Sequence, residues 1–198
     1  MISGKPFSPA CARNSEPIAQ LLVPLLQKAE SVLEIGSGTG QHAVYFGARL
    51  PHLVWQTSDL RENHAGIRHW LDEAALPNVL PPLHLDVDQS AWPAERFGAA
   101  FTANTLHIMA WSSVQNMFSG VSRVLDENGM FCVYGPFMYD SSHTSDSNAR
   151  FDASLRAQNP RSGIREFRDV RDLARHNSLT LHADHAMPAN NRLLIFRK

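Results

Sequence analysis

An α/β fold is predicted for this 198-residue chain: a mostly parallel sheet with helices on both faces and a closing antiparallel hairpin. Three observations predict it. Apolar runs rich in Val, Leu, Ile and Phe alternate with stretches of helical periodicity, a glycine-rich bend follows the first such run, and two final runs are joined by Pro188-Ala189-Asn190-Asn191. Hydrophobic residues make up 43% and charged residues 19%, the balance of a chain that buries a core and folds by itself as one domain.

The elements follow in order. Ser15-Glu16-Pro17 reads as a helix start, giving an N-terminal helix over about 15–30 with the stripe Ile18, Leu21, Leu22, Leu25 and Leu26 and a kink at Pro24. Val32 to Ile35 is a buried strand that ends in Gly36, Gly38 and Gly40, and Ala43, Phe46, Gly47 and Leu50 recur at helical spacing up to Pro51. Leu53 to Thr57 is a second strand ending near Asp59, and Ile67, Trp70, Leu71 and Ala74 line the next helix. Leu83 to Leu85 is a third strand closed by Asp86, and Phe97 to Ala103 a fourth that ends at Asn104. A helix from about Ser113 carries Val114, Met117, Phe118, Val121 and Leu125, with Ser112 and Gln115 at the spacing of a capping box. Gly129 to Tyr134 is a fifth strand. A polar insertion over about 137–167 exceeds an ordinary connection and is expected to act as a substrate lid. A helix from about Val170 to His176 and the hairpin Leu179–Met187 with Arg192–Phe196 complete the chain.

A net charge of −1 supplies no field for nucleic acid or an anionic membrane, so neither is expected as a partner. Cys11 and Cys132 fit no disulfide framework or CxxC pair, and no apolar signal region precedes Cys11. A cytoplasmic protein with reduced thiols is expected. His182 and His185, three apart on a strand, fall on opposite faces, and no metal is expected.

Chemistry concentrates in Val32-Leu33-Glu34-Ile35-Gly36-Ser37-Gly38-Thr39-Gly40. A glycine bend between strand and helix lets backbone approach a ligand without a Cβ, and the helix start supplies unpaired N–H groups. The spacing is ExGxGxG. Gln41 stands where a dinucleotide fingerprint needs a small residue, which argues against NAD, and no Lys completes a phosphate-binding P-loop. Asp59, 19 residues beyond Gly40, can accept ribose hydroxyls, and Asp86 can accept from an exocyclic amino group. The three features together specify an adenosine without a pyrophosphate.

With these residues in view, the chain resembles the class I S-adenosylmethionine (SAM)-dependent methyltransferases, and more closely an uncharacterised methyltransferase-like domain-of-unknown-function family. The marks are Arg13-Asn14-Ser15-Glu16-Pro17-Ile18, Leu33 to His42, Trp55 to Asp59, Asn104-Thr105-Leu106-His107-Ile108, Tyr134-Gly135-Pro136-Phe137, Ser147 to Asp152, Gly163-Ile164-Arg165 and Pro188 to Asn191. The resemblance implies a Rossmann-like seven-stranded sheet with a reversed last strand and SAM as cofactor. It also implies that Gly36, Gly38 and Gly40 pass beneath the methionine part, Asp59 holds the ribose, Asp86 meets the adenine, Glu34 orders the loop or the amino group, and Asn104 lines the methyl-donor pocket.

Methyl transfer from a sulfonium is an in-line displacement that gains from alignment and desolvation, and an acceptor with a proton to lose gains from an imidazole. His107, three residues past the fourth strand, is the candidate base. Substrate-binding candidates are Asn14, Trp111, Tyr139, His143, Arg150 and Arg165, and Arg150, Arg156 or Arg165 is expected to clamp an anionic acceptor. The expected activity is methyl transfer to an unidentified acceptor, a small molecule or an exposed protein side chain. A non-catalytic protein binding SAM or S-adenosylhomocysteine (SAH) is the alternative.

Overall fold

The computed structural model describes residues 5–89 and 91–198. Ten strands and six α-helices alternate as α1 (Pro9–Leu25), β1 (Ser31–Ile35), α2 (Gln41–Gly47), β2 (Val54–Asp59), α3 (His64–Ala74), β3 (Val79–His84), β4 (Phe97–Ala103), α4 (Trp111–Val124), β5 (Leu125–Gly135), β6 (Phe137–Tyr139), β7 (Ser142–His143), α5 (Asp146–Gln158), β8 (Arg165–Glu166), α6 (Phe167–His176), β9 (Thr180–Met187) and β10 (Asn191–Arg197). Seven strands form one sheet in the order β3-β2-β1-β4-β5-β10-β9. β1 is parallel to β2 and β4, whereas β10 runs antiparallel to β5 and to β9, so the predicted hairpin reverses the sheet's far side. The strands β7-β6-β8 form a second, small sheet.

By contact the chain divides into two compact units. One holds the residues up to Asp86 with Phe97–Phe101, and the other Val87–Arg96 with Thr102–Lys198. In the first, Phe46 of α2, Trp55 of β2 and Phe101 of β4 are fully buried and pack with ring centroids 5.5 to 5.8 Å apart. In the second, α4 buries Val114, Met117, Phe118 and Val121, and Phe118 lies edge-on to Phe131 of β5 and Phe196 of β10. Fully burying side chains of this size contributes about 1.5–3 kcal/mol each, which is why apolar spacing located these elements.

Three expectations are corrected. α1 starts at Pro9 rather than Ser15 and ends at Leu25, with Pro17 and Pro24 inside it. Its cap is Ser8, whose side chain accepts from the Cys11 N–H, and Pro9 stands at the first helical position, where its missing N–H costs nothing. β3 begins at Val79, ahead of Pro81 and Pro82, and ends at His84, so Asp86 lies two residues past it. Prolines are tolerated because β3 is the outer strand, and side chains of β2 serve its carbonyls: Thr57 Oγ1 donates to Leu80 O and Gln56 Nε2 to Pro81 O, both at 2.8 Å. The Ser112/Gln115 capping box does not form. α4 opens at Trp111 after Ala110, and its first turns donate instead to Asp88, from Ser113 Oγ at 2.7 Å and Asn116 Nδ2 at 3.0 Å.

The segment 137–167, expected as a lid, is built: it contains β6, β7, α5 and β8, with Ser145 capping α5. No helix among the described residues is long and apolar enough to cross a membrane.

Gly120 of α4 lies against Trp92, where an added Cβ falls 1.9 Å from the indole. Overpacking of about 1–3 kcal/mol outweighs the roughly 1 kcal/mol that alanine adds in a helix. Gly120→Ala therefore lowers the unfolding free energy by about 1–2 kcal/mol in urea titrations, the upper half of the net range because a rigid indole has to move; a variant as stable as the parent contradicts this packing.

Candidate functional site

The bend after β1 is held by β2. Ser58 O accepts from the N–H groups of Gly36 (3.1 Å) and Ser37 (3.0 Å), and Ser37 Oγ accepts from Ser58 N (3.1 Å). Gly36, Gly38 and Gly40 have φ of 73°, 58° and 89°, a region glycine enters at little cost. The last two face different surroundings. A Cβ on Gly38 meets nothing within 4 Å, whereas one on Gly40 comes to 3.2 Å from the Ile67 backbone of α3. Gly40 is thus needed for packing, and Gly38 borders open space.

Asp59 closes the bend. Its Oδ2 accepts from the Gly38 N–H at 2.7 Å, and its Oδ1 accepts from Leu60 N and Asn63 Nδ2, each at 2.7 Å. A carboxylate offers about four acceptor positions, so about one remains. Leu85 N donates to Asp59 O, which sets half-buried Asp86 near the same end of the adjacent strands β2 and β3. Glu34 of β1 is 2% exposed. Its Oε2 accepts from Trp55 Nε1 at 3.1 Å, and burial pushes its carboxyl up to about 7 against the opposing hydrogen bonds.

Sequence reasoning missed the tie between α1 and this bend. Gln41 Oε1 accepts from Ser8 N (2.5 Å) and Thr39 Oγ1 (3.0 Å), while its Nε2 donates to Ser8 O (3.4 Å). Asn14, expected to bind substrate, is buried with its Oδ1 2.7 Å from His42 Nε2, and Cys11 Sγ lies 3.8 Å from His42 Nδ1. Burial pulls the His42 pKa down to about 4. The signal for the tie was Gln41 itself, a large amide where a small residue had been sought.

In the second unit, Asn104 ends β4 at φ 61° with its N–H on Tyr134 O. A Cβ added to Gly135 lies 3.8 Å from His107 Nδ1 and 4.0 Å from Asn104 Oδ1, so both side chains flank that glycine. His107 is 5% exposed and edge-on to Phe151 at 5.2 Å. Burial first, and the Arg165 charge second, bring its pKa down to about 4, which leaves a neutral imidazole at pH 7.

The turn bearing His107 is stitched to residues 162–165. Leu106 O accepts from Arg165 Nε, His107 O from Gly163 N, Ile108 O from Ser162 Oγ, and Met109 O from Arg165 Nη2. Four consecutive carbonyls are satisfied from one segment. Trp111, Arg156, Arg165 and Glu166 belong to the lining of a cavity of about 470 Å³ in this unit, and the Arg165 guanidinium lies 6.0 Å from the Trp111 ring centre.

The other expected substrate residues do not gather there. Tyr139 stacks on Phe167 and donates to Asp184 Oδ2 at 2.8 Å; burial, then Asp184, raises its pKa well above the ordinary value, so it is no base. His143 Nε2 lies 3.6 Å from Asp152 Oδ2, and its Nδ1 is buried without a partner among the described residues. Arg150 is exposed on α5.

This sheet order with its reversed hairpin is the fold of the class I SAM-dependent methyltransferases. Solved structures with the same fold include an O-methyltransferase family protein from Burkholderia thailandensis (16% identity, TM-score 0.84, 96% of this chain and 57% of that one). They also include mitomycin 7-O-methyltransferase (14%, TM-score 0.84, 96% and 54%) and human N-acetylserotonin methyltransferase in complex with SAM (13%, TM-score 0.80, 96% and 52%). The chain spans a little over half the length of these proteins. Over residues 5–198 it matches the family described as protein of unknown function DUF938, and it belongs to that family.

The buried histidines generate a pH prediction. An unfolded histidine takes up a proton near 6.5, whereas folded His42 and His107 resist until about 4, so each supports the fold fully above 6.5 and less as pH falls toward 4. Glu34 opposes them, because its raised pKa weakens the fold as pH rises from 4.5 to about 7. In histidine NMR spectra both rings stay neutral from pH 8 down to about 5.5; a titration midpoint near 6.5 for either contradicts the burial described.

Proposed function

We propose that this chain is a SAM-dependent methyltransferase acting on a small-molecule acceptor. The observation that carries this reading is the Gly36–Gly40 bend with the Gly38 N–H fixed on the Asp59 carboxylate. The fit to a sulfonium nucleoside rests on three features. Open space borders Gly38, Asp59 keeps about one acceptor position for a ribose hydroxyl, and Glu34 sits at an ionisation balance that a nearby cation shifts toward the carboxylate. A second ribose hydroxyl is accommodated if Asn63 leaves Asp59. Asp86 is the candidate acceptor for the adenine amino group, and Asn104 for lining the donor pocket.

When bound, SAM supplies an electrophilic methyl on a positively charged sulfur. The protein's contribution is to align the acceptor, exclude water and remove a proton. Alignment alone is worth up to roughly 7–11 kcal/mol in well-oriented systems. His107, neutral at pH 7 and free of any ring-nitrogen partner among the described residues, is the candidate base; its depressed pKa suits an acceptor that loses its proton late, as the new bond forms. The carbonyl stitching from Ser162, Gly163 and Arg165 keeps that imidazole in place.

Titration calorimetry tests the reading. SAM and SAH bind with dissociation constants below about 1 mM and NAD gives no heat; NAD binding, or indifference to both sulfur nucleosides, contradicts it. His107→Ala lowers SAH release in acceptor screens by roughly 10²–10⁴ while keeping SAM affinity. Binding of SAM with no SAH release across a broad acceptor library favours a non-catalytic binder.

A further inference from the structure

The cavity of the second unit carries an electrostatic conflict. Arg156 and Arg165 both line it, and the Arg156 charge, after burial, lowers the Arg165 pKa, as expected of two guanidiniums held near each other. Both are also incompletely used. Arg165 commits Nε to Leu106 O and Nη2 to Met109 O and Arg161 O, which leaves the two N–H groups of Nη1. Arg156 commits only Nε, to Asp152 Oδ2 at 2.9 Å, which leaves four. Gly163 makes the arrangement possible. Its φ is 147°, and an added Cβ falls 2.5 Å from Arg156 Nη2 and 2.9 Å from Asp152 Oδ1.

The remaining charges of the lining decide what the cavity accepts. Arg168 is paired with Asp140 at 3.7 Å, and both are largely exposed at the rim. Glu166 Oε2 accepts from Ser141 N at 2.9 Å, and Asp169 sits in the first turn of α6, where the helix N-terminus favours an acid. The three guanidiniums of the lining, Arg156, Arg165 and Arg168, are balanced by its three carboxylates, Asp140, Glu166 and Asp169, and with Asp152 matched to Arg156, Arg165 has no carboxylate in contact among the described residues. A lining balanced overall suits a monoanion placed on the Arg156–Arg165 side, whereas a phosphate dianion doubles the repulsion from Asp140, Glu166 and Asp169. Trp111, Met138 and Ile164 supply an apolar wall.

We propose that this cavity binds the carboxylate of a small aromatic monocarboxylic acid, gripped by the free N–H groups of Arg156 and Arg165 and covered by Trp111. Planar guanidinium groups match a carboxylate through paired, charge-assisted hydrogen bonds. Combined with the methyl-transfer reading, on which this step alone rests, the acid is the methyl acceptor through a ring hydroxyl, whose oxygen takes the methyl as the methyl–sulfur bond breaks, with SAH leaving and the hydroxyl proton passing to His107: the segment 162–165 that shapes the cavity is the one stitched to the His107 turn.

Ligand-observed NMR on the full chain tests the site with benzoate, neutral benzamide and phenyl phosphate. Benzoate binds at least about tenfold more tightly than benzamide and than phenyl phosphate, and Arg156→Gln weakens benzoate by about tenfold or more with benzamide unchanged. Because Arg165 also holds the His107 turn, Arg165→Lys is read only beside Arg156→Gln, whose guanidinium bonds to Asp152 alone. Equal binding of benzoate and benzamide, unchanged benzoate affinity in Arg156→Gln, or a preference for phenyl phosphate overturns the proposal. SAM calorimetry on the same samples separates the two readings. Benzoate binding without SAM binding removes the methyltransferase reading and sustains the carboxylate site; SAM binding without benzoate selectivity does the reverse.

Discussion

The hydrogen bond from the Gly38 N–H to Asp59 is the constraint on which the first unit's site depends. Three alternate left-handed glycines, Gly36, Gly38 and Gly40, form a bend with many alternatives in an unfolded chain, and ordering a glycine costs more entropy than ordering any other residue. Ser58 O takes two N–H groups from one side of the bend and Asp59 takes a third, so β2 fixes the shape of the loop that leaves β1. Charge-assisted bonds of this kind are worth roughly 1.5–3 kcal/mol. Asp59 therefore shapes the loop and keeps about one acceptor position for a ligand.

The second unit solves a similar problem with the opposite groups. Around His107 it is the carbonyls that need partners, and Ser162, Gly163 and Arg165 provide them. An imidazole kept neutral by burial gains nothing unless its turn is rigid, and this stitching makes it so. Arg165 thus serves two ends: its Nε and Nη2 secure backbone while Nη1 remains on a cavity-lining guanidinium.

Much of this was legible in the sequence, and what was missed shares a cause. β4 was read at its observed limits, and β1, β2 and the closing hairpin within about a residue or two, because buried strands leave unbroken apolar runs. The glycine bend was legible from its own spacing, and Asp59 from its place at the end of a strand, although the two meet across 21 residues. What was hidden depends on partners distant in sequence. Ser8 outcompetes Ser15 as a helix cap because Gln41 holds its backbone 33 residues away. Pro81 and Pro82 enter a strand because side chains of β2 satisfy the adjacent carbonyls. Asn14 and Tyr139, polar residues beside suggestive motifs, are spent on His42 and Asp184, and spacing alone assigns neither partner.

The most direct measurement of the central claim is the affinity of SAH for Asp59→Asn compared with the parent chain. That substitution keeps size and shape but sets an amide where the Gly38 N–H and a ribose hydroxyl need an acceptor. The account predicts a folded variant whose SAH dissociation constant rises by about tenfold or more, a loss of about 1.4 kcal/mol. An unchanged affinity in a folded variant contradicts it.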